Sequence, residues 1–210
     1  MQLVSQKLDV APDKLKALCE KEMITMNVLI SAAAGSLIGR YCQTNESLLQ
    51  SMYSAREDLR SEHVIGCFAT PVLMRMKWSE RESVSSYLQR AAKHVLGGIK
   101  HCATYSLLDI GKDLHIEPAM PFIFQGTLQN EDFPIGDTVA KYQPISGNEH
   151  GSPINVHVFV DDDGYVVMRI FFLSNLYSSE FINRFMKNFS NILELMASCK
   201  TMAEVKLVEG

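Results

Sequence analysis

No stretch of this 210-residue chain stays apolar long enough to cross a bilayer. The longest candidate, residues 26–39, is interrupted by Asn27, Ser31 and Ser36 and falls short of the roughly 20 residues a membrane helix needs. Residues 1–10 hold no sustained apolar segment, which predicts no signal peptide. Basic charge is not in excess either: 20 Lys and Arg stand against 24 Asp and Glu, a net charge of −4. A surface that neutralises phosphates needs a basic stripe, so no nucleic-acid partner and no membrane partner is expected. The five cysteines, Cys19, Cys42, Cys67, Cys102 and Cys199, are scattered and never form a C-x-x-C pair. An odd, dispersed set argues for reduced thiols rather than a disulfide framework, and so for a cytoplasmic protein. Also missing are G-x-G-x-x-G, G-x-x-x-x-G-K-[ST] and G-x-S-x-G, which removes the common nucleotide-binding and hydrolase readings.

What is present suits one globular domain, residues 1–210, with 47% hydrophobic and 21% charged residues. A chain of this size buries roughly 70% of the surface its unfolded form exposes. Residues 13–22, after Pro12, read as a short charged helix. Thr25 is placed to cap a second helix over residues 26–41, whose nearly all-apolar surface predicts deep burial. Within it Ala32, Ala33, Ala34 and Gly35 allow close approach to a sheet. Residues 47–54 read as a strand. Residues 68–78 alternate, with Val72, Met74 and Met76 on one face and Leu73, Arg75 and Lys77 on the other. The string Ser79-Glu80-Arg81-Glu82 has the form of a capping box, which predicts that it opens the next helix. That helix repeats apolar residues at Val84, Leu88, Ala91, Val95 and Ile99, with Gly97-Gly98 marking close packing. A short helix over residues 105–111 and a strand over residues 122–128 follow.

Periodicity then fails from residue 129 to residue 153, where Pro134, Gly136, Pro144, Gly147, Gly151 and Pro153 forbid long regular structure. A loop of that length inside a compact domain is usually functional or received by a partner. Residues 154–160 and 165–172 are β-rich and joined by Asp161-Asp162-Asp163-Gly164, a hairpin signature. The last helix, residues 179–199, carries Phe181, Ile182, Phe185, Phe189, Ile192, Leu193 and Met196 on one stripe. This order predicts an α/β fold: a two-layer sandwich of a mixed β-sheet with helices on one face.

Chemistry is harder to find. The histidines are His63, His94, His101, His115, His150 and His157. Only His157 has a carboxylate at a suggestive spacing, in the H-x-x-x-D string that ends at Asp161. Two readings stand: a catalytic pair, or a mid-strand histidine followed by a hairpin turn, and the second accounts for every residue. His94 and His101 lie two turns apart on one helix but lack further ligands for a structural zinc site. The triplet Asp161, Asp162 and Asp163 lacks the later Gly and Glu of an EF-hand loop. No catalytic residue, no metal site and no bound cofactor is therefore assigned.

Several segments nevertheless resemble a known family. Residues 64–75 read V-I-G-C-F-A-T-P-V-L-M-R and resemble the I-G-x-F-V-N-T-x-x-x-R segment of condensation domains from nonribosomal peptide synthetases. Ile65, Gly66, Phe68 and Arg75 are in register, while Ala69-Thr70-Pro71 replaces V-N-T. The apolar helix over residues 26–41 is similar to one ending in "sRY" upstream of that segment. Ser54-Ala55-Arg56 resembles the arginine that closes the intervening strand, with Gln50 where a glycine is usual. Of the motif H-Q-D-Y-P-F-E only His101 remains. Pro121-Phe122-Ile123-Phe124-Gln125 is similar to the P-L-F-Q strand, and Asn175-Leu176-Tyr177 with the closing helix follows the family's order.

The resemblance covers about residues 12–208 and implies the C-terminal lobe of a chloramphenicol-acetyltransferase-like pair of lobes. The family's H-H-x-x-x-D-G motif belongs to the N-terminal lobe, and no such string occurs here. The resemblance thus implies one wall of a channel in which carrier-protein-bound acyl and aminoacyl groups, held on phosphopantetheine, join through an amide. Residues 52–71 would form the floor loop, and residues 129–153 the latch that crosses to the other lobe. Gly66, Phe68, Thr70 and Arg75 would line the channel. Each has a plainer reading: Gly66 a turn of positive φ, Phe68 a core aromatic, Arg75 a salt-bridged sheet residue. Three uses of the fold remain open. It is half of a condensation enzyme needing an N-terminal lobe in cis or in trans, and inactive alone; a docking module for carrier proteins or partner enzymes; or a homodimer of pseudo-symmetric lobes.

Overall fold

In the computed structural model, residues 1–54, 56, 63–102, 104–115, 120–127, 133–141 and 152–208 are described. Strand β1 (Gln2–Lys7) leads into helix α1 (Pro12–Glu22), which starts on Pro12 and ends with Met23 in the left-handed region at φ 53°. Helix α2 (Met26–Tyr41) begins where the Thr25 hydroxyl accepts the Val28 N–H, as the sequence predicts. Strands β2 (Glu46–Tyr53) and β3 (Thr70–Lys77) pair antiparallel, Leu49 opposite Met74 and Ser51 opposite Val72. Then come α3 (Val84–His101), α4 (Leu107–Leu114) and β4 (Met120–Thr127). A small separate hairpin, β5 (Phe133–Ile135) and β6 (Thr138–Ala140), turns at Gly136 with φ +58°. Strands β7 (Ile154–Val160) and β8 (Val166–Phe172) and helix α5 (Ser179–Ser198) complete the chain.

The main sheet runs β1-β8-β7-β4-β2-β3. The pairs β4 with β2 and β4 with β7 are parallel and the others antiparallel, so the sheet is mixed. One face is apolar because strand alternation puts Leu49, Val72, Met74, Met76, Phe122, Val156, Val158, Met168 and Ile170 on the same side. Helices α2, α3 and α5 cover that face, with Phe122 and Phe189 ring centroids 5.4 Å apart across the interface. The predicted stripe on α5 is buried from Ile182 to Met196, with Phe181 at its margin. Opposite the helices, the second face presents Leu48, Leu73, Arg75, Ile123, Gln125, His157 and Arg169. This is the expected two-layer α/β sandwich, with only the short α4 placed beside the second face, near Leu48 and Leu73.

Strand β1 is a mostly exposed edge, defined by its pairing with β8, Val4 opposite Ile170, and no local pattern in residues 2–7 announces it. Three expectations need correction. The box at Ser79–Glu82 does not open α3. The Ser79 N–H donates to Glu82 Oε1 at 2.6 Å and closes a turn, after which Ser83 caps the helix by accepting the Ser86 N–H. Helix α4 starts two residues later than predicted, because Ser106 rather than Tyr105 sits at its cap, and it ends with His115 at φ 51°. Of Gly97-Gly98, only Gly98 marks close packing: a Cβ there would lie 2.8 Å from Val72 Cγ1, whereas nothing lies within 4 Å of one on Gly97.

Among the described residues no single helix is long and apolar enough to cross a membrane. Helices α1 and α2 together have the length and composition, but they bend by 101° at the break and α2 is buried in the core.

Candidate functional site

The return from β2 to β3 is where the candidate residues gather. The ladder ends with Tyr53 opposite Thr70, and Arg56 follows just beyond. Its Nη1 donates to the Val64 carbonyl at 3.1 Å and its Nη2 to the Gly66 carbonyl at 3.0 Å. The guanidinium carbon also lies 4.2 Å from the centroid of the Phe68 ring, a cation–π arrangement. Thr70 Oγ1 donates back to the Phe68 carbonyl at 3.2 Å. Gly66, Phe68 and Thr70 are therefore tied into one loop around a single arginine. Val64 and Ile65 are exposed.

Two of the plainer readings fail here. Gly66 does not adopt positive φ, and a Cβ on it would make an ordinary 3.4 Å contact with the Phe68 ring. Phe68 is half-buried beneath Arg56 and stands outside the main core. For Arg75 the salt-bridge reading holds: its Nη2 and Nε lie 2.6 and 3.2 Å from Glu46 Oε2. That hydrogen bond holds the Glu46 carboxyl below the usual range. Arg75 does not join the other three. It sits about 17 Å along β3 from Thr70, at roughly 3.4 Å per residue, and an odd step places it on the opposite face. There it lines a groove of about 600 Å³ with Leu48, Leu73, Ile110 and Leu114.

The H-x-x-x-D pair does not assemble. His157 Nδ1 lies 2.9 Å from Gln125 Nε2, and its ring meets Phe171 edge-on at 5.5 Å. Asp161 is in the turn after β7, where Lys7 Nζ approaches to 2.6 Å. Its Oδ1 accepts the N–H groups of Asp163 and Tyr165. The aspartate triplet is thus a turn tied to β1 through Lys7. His94 and His101 are both exposed on α3, and among the described residues no three His, Cys, Asp or Glu side chains cluster as metal ligands. From the sequence, Arg56 stands out only by its resemblance to the arginine that closes the strand. Nothing in its neighbours announces two carbonyls eight and ten positions downstream.

The family model for the condensation domain matches residues 5–208. Surfactin synthase subunit 1 from Bacillus subtilis (strain 168) is 23% identical over 215 aligned positions, which cover 98% of this chain and 6% of that protein. In structure, the chain superposes on holo-AB3403, a four-domain nonribosomal peptide synthetase bound to AMP and glycine. The TM-score is 0.84 at 13% identity, over 99% of this chain and 18% of the other. It also superposes on a complex of the X-domain and OxyB from teicoplanin biosynthesis. That match has a TM-score of 0.81 at 18% identity, over 100% of this chain and 48% of the other. The chain spans about half of the second structure and a small fraction of the synthetases. The match of that model from residue 5 to residue 208 places this chain in the condensation-domain family.

Proposed function

We propose that this chain is the C-terminal lobe of a condensation domain and supplies one wall of the channel in which an amide is formed. The observation that carries the reading is a family match across residues 5–208 of a sequence that holds no H-H-x-x-x-D-G string. The substrates are carrier-bound thioesters on phosphopantetheine, and no cofactor of the chain's own is needed. The amine nitrogen of one substrate attacks the thioester carbonyl of the other, the C–N bond forms, the C–S bond breaks, and the amine proton ends on the departing thiol. The proton-handling histidine comes from the N-terminal lobe, in cis or in trans. This chain contributes the loop held by Arg56 as floor, with Gly66, Phe68 and Thr70 toward the channel, and residues 129–153 as the latch. Within that latch the β5–β6 hairpin is described, while residues 129–132 and 142–151 lie outside the described residues. Arg75, on the far face and paired with Glu46, supports the channel wall rather than the reacting groups. The place of action is the cytoplasm.

The test is reconstitution. Mixed with an N-terminal condensation lobe carrying H-H-x-x-x-D-G and with loaded carrier proteins, the chain forms amide product; alone it forms none. Amide formation by the isolated chain overturns the reading. A second reading, a docking module without catalytic output, is favoured by the superposition on an X-domain in complex with OxyB. Saturable binding of a loaded carrier protein, with no product from the reconstituted pair, selects it. A homodimer of the lobe is checked by mass in solution, and a monomer at high concentration removes it.

A further inference from the structure

Residues 64–68 lie between strands and take no part in the sheet ladder. Among the described residues, one side chain donates to two of their carbonyls. A guanidinium is planar, with its donors arranged in a fork, and its face stacks on aromatic rings. Arg56 uses both properties at once. Its two terminal nitrogens take the Val64 and Gly66 carbonyls, and its face covers the Phe68 ring, so three alternate residues are gripped by one group. The far end of the loop is closed by Thr70 on the Phe68 carbonyl. Arg56 itself is exposed, so these contacts are not needed to neutralise a buried charge; their effect falls on the loop. A lysine in its place offers a compact ammonium, which cannot bridge both carbonyls while lying flat on the ring.

We infer that Arg56 is the positioning residue of the β2–β3 loop: its guanidinium sets the path of residues 64–68 and through it the placement of Gly66 and Phe68. The effect on turnover rests on the channel reading given above, whereas the clasp rests only on the geometry.

Two measurements separate these. Nitrogen-15 relaxation on the chain reads loop order directly. In Arg56→Ala, order parameters at residues 64–68 fall from about 0.85 to below about 0.6, and those of β2 and β3 stay unchanged. Arg56→Lys falls part of the way, because charge is kept while the fork is lost. Unchanged order parameters in both variants overturn the proposal. In the reconstituted pair of lobes, Arg56→Ala raises KM for the carrier-bound substrate about tenfold with kcat altered less than about twofold, the pattern of lost substrate placement. A mere loss of folded protein lowers apparent kcat and leaves KM alone. Loop order that falls without any change in KM leaves the clasp standing and overturns the channel reading.

Discussion

A Cβ added to Gly35 would lie 2.4 Å from the Cβ of Met76 and 2.5 Å from its Cγ. Helix α2 therefore rests on β3 with backbone, not side chain, at the point of contact. The Ser47 hydroxyl donates to the Gly35 carbonyl at 2.9 Å and locks the same crossing to β2. Two glycine variants separate this close contact from ordinary helix propensity. Gly35→Ala forces α2 away from the sheet and destabilises the fold by about 1–3 kcal/mol, the usual cost of overpacking. Gly97→Ala, with nothing near its new methyl, stabilises by up to about 1 kcal/mol through helix propensity. Urea midpoints at constant m-value check both, and equal shifts in one direction would contradict the packing account.

The Lys7–Asp161 pair joins edge strand β1 to the β7–β8 turn, and it makes stability depend on pH at two ends. The Lys7 hydrogen bond, helped by the Tyr165 and Asp163 N–H groups, holds the Asp161 carboxyl below its ordinary 3.8. Its contribution is complete above that ordinary value and disappears as pH falls through the lower folded one. The Asp161 hydrogen bond in turn raises Lys7 above its ordinary 10.5. That contribution is complete below 10.5 and disappears as pH rises through the higher folded value. Wild type is therefore more stable than Asp161→Asn near neutral pH, and the two curves converge on acidification below the ordinary carboxylate range. Parallel curves from pH 2 to pH 7 in chemical denaturation would remove the pair from the account.

Thiol reactivity distinguishes the cysteines by burial. Cys42 and Cys67 are exposed, whereas Cys19 is half-buried on α1. Burial, with the Glu20 charge adding to it, pushes the Cys19 thiol up to about 11. At pH 8 only about one Cys19 in a thousand is then thiolate, the reactive form. Alkylation followed by peptide mass spectrometry at pH 8 modifies Cys42 and Cys67 first and Cys19 slowest of the three. Early labelling of Cys19 would mean that α1 opens from the body of the domain.

Legibility followed the strength of local chemistry. Helix α2 was readable to the residue because Thr25 caps it and every following turn is apolar. Strand β7 was equally clear because β-branched residues fill it up to the Asp161 turn. Strand β1 was not, since an exposed edge has neither alternation nor burial to announce it, and only its pairing with β8 defines it. The Ser79–Glu82 box carried the right hydrogen-bonding residues, but the same bonds close a turn when the next serine makes the better cap. In the candidate site, Gly66, Phe68 and Thr70 were legible as a group through resemblance. The separation of Arg75 from them was implicit in strand parity, five positions being an odd step.

The sequence by itself determined the period and apolar face of the buried helices and strands, and that no H-H-x-x-x-D-G string occurs, because these depend on residue type and period alone. Tertiary structure decided which carbonyls Arg56 would hold, which partner Asp161 would take and which glycine would touch a strand. Those outcomes depend on distances between groups that are not neighbours in the sequence, eight residues apart for Arg56 and Val64 and far more for Lys7 and Asp161, and no local preference encodes such distances.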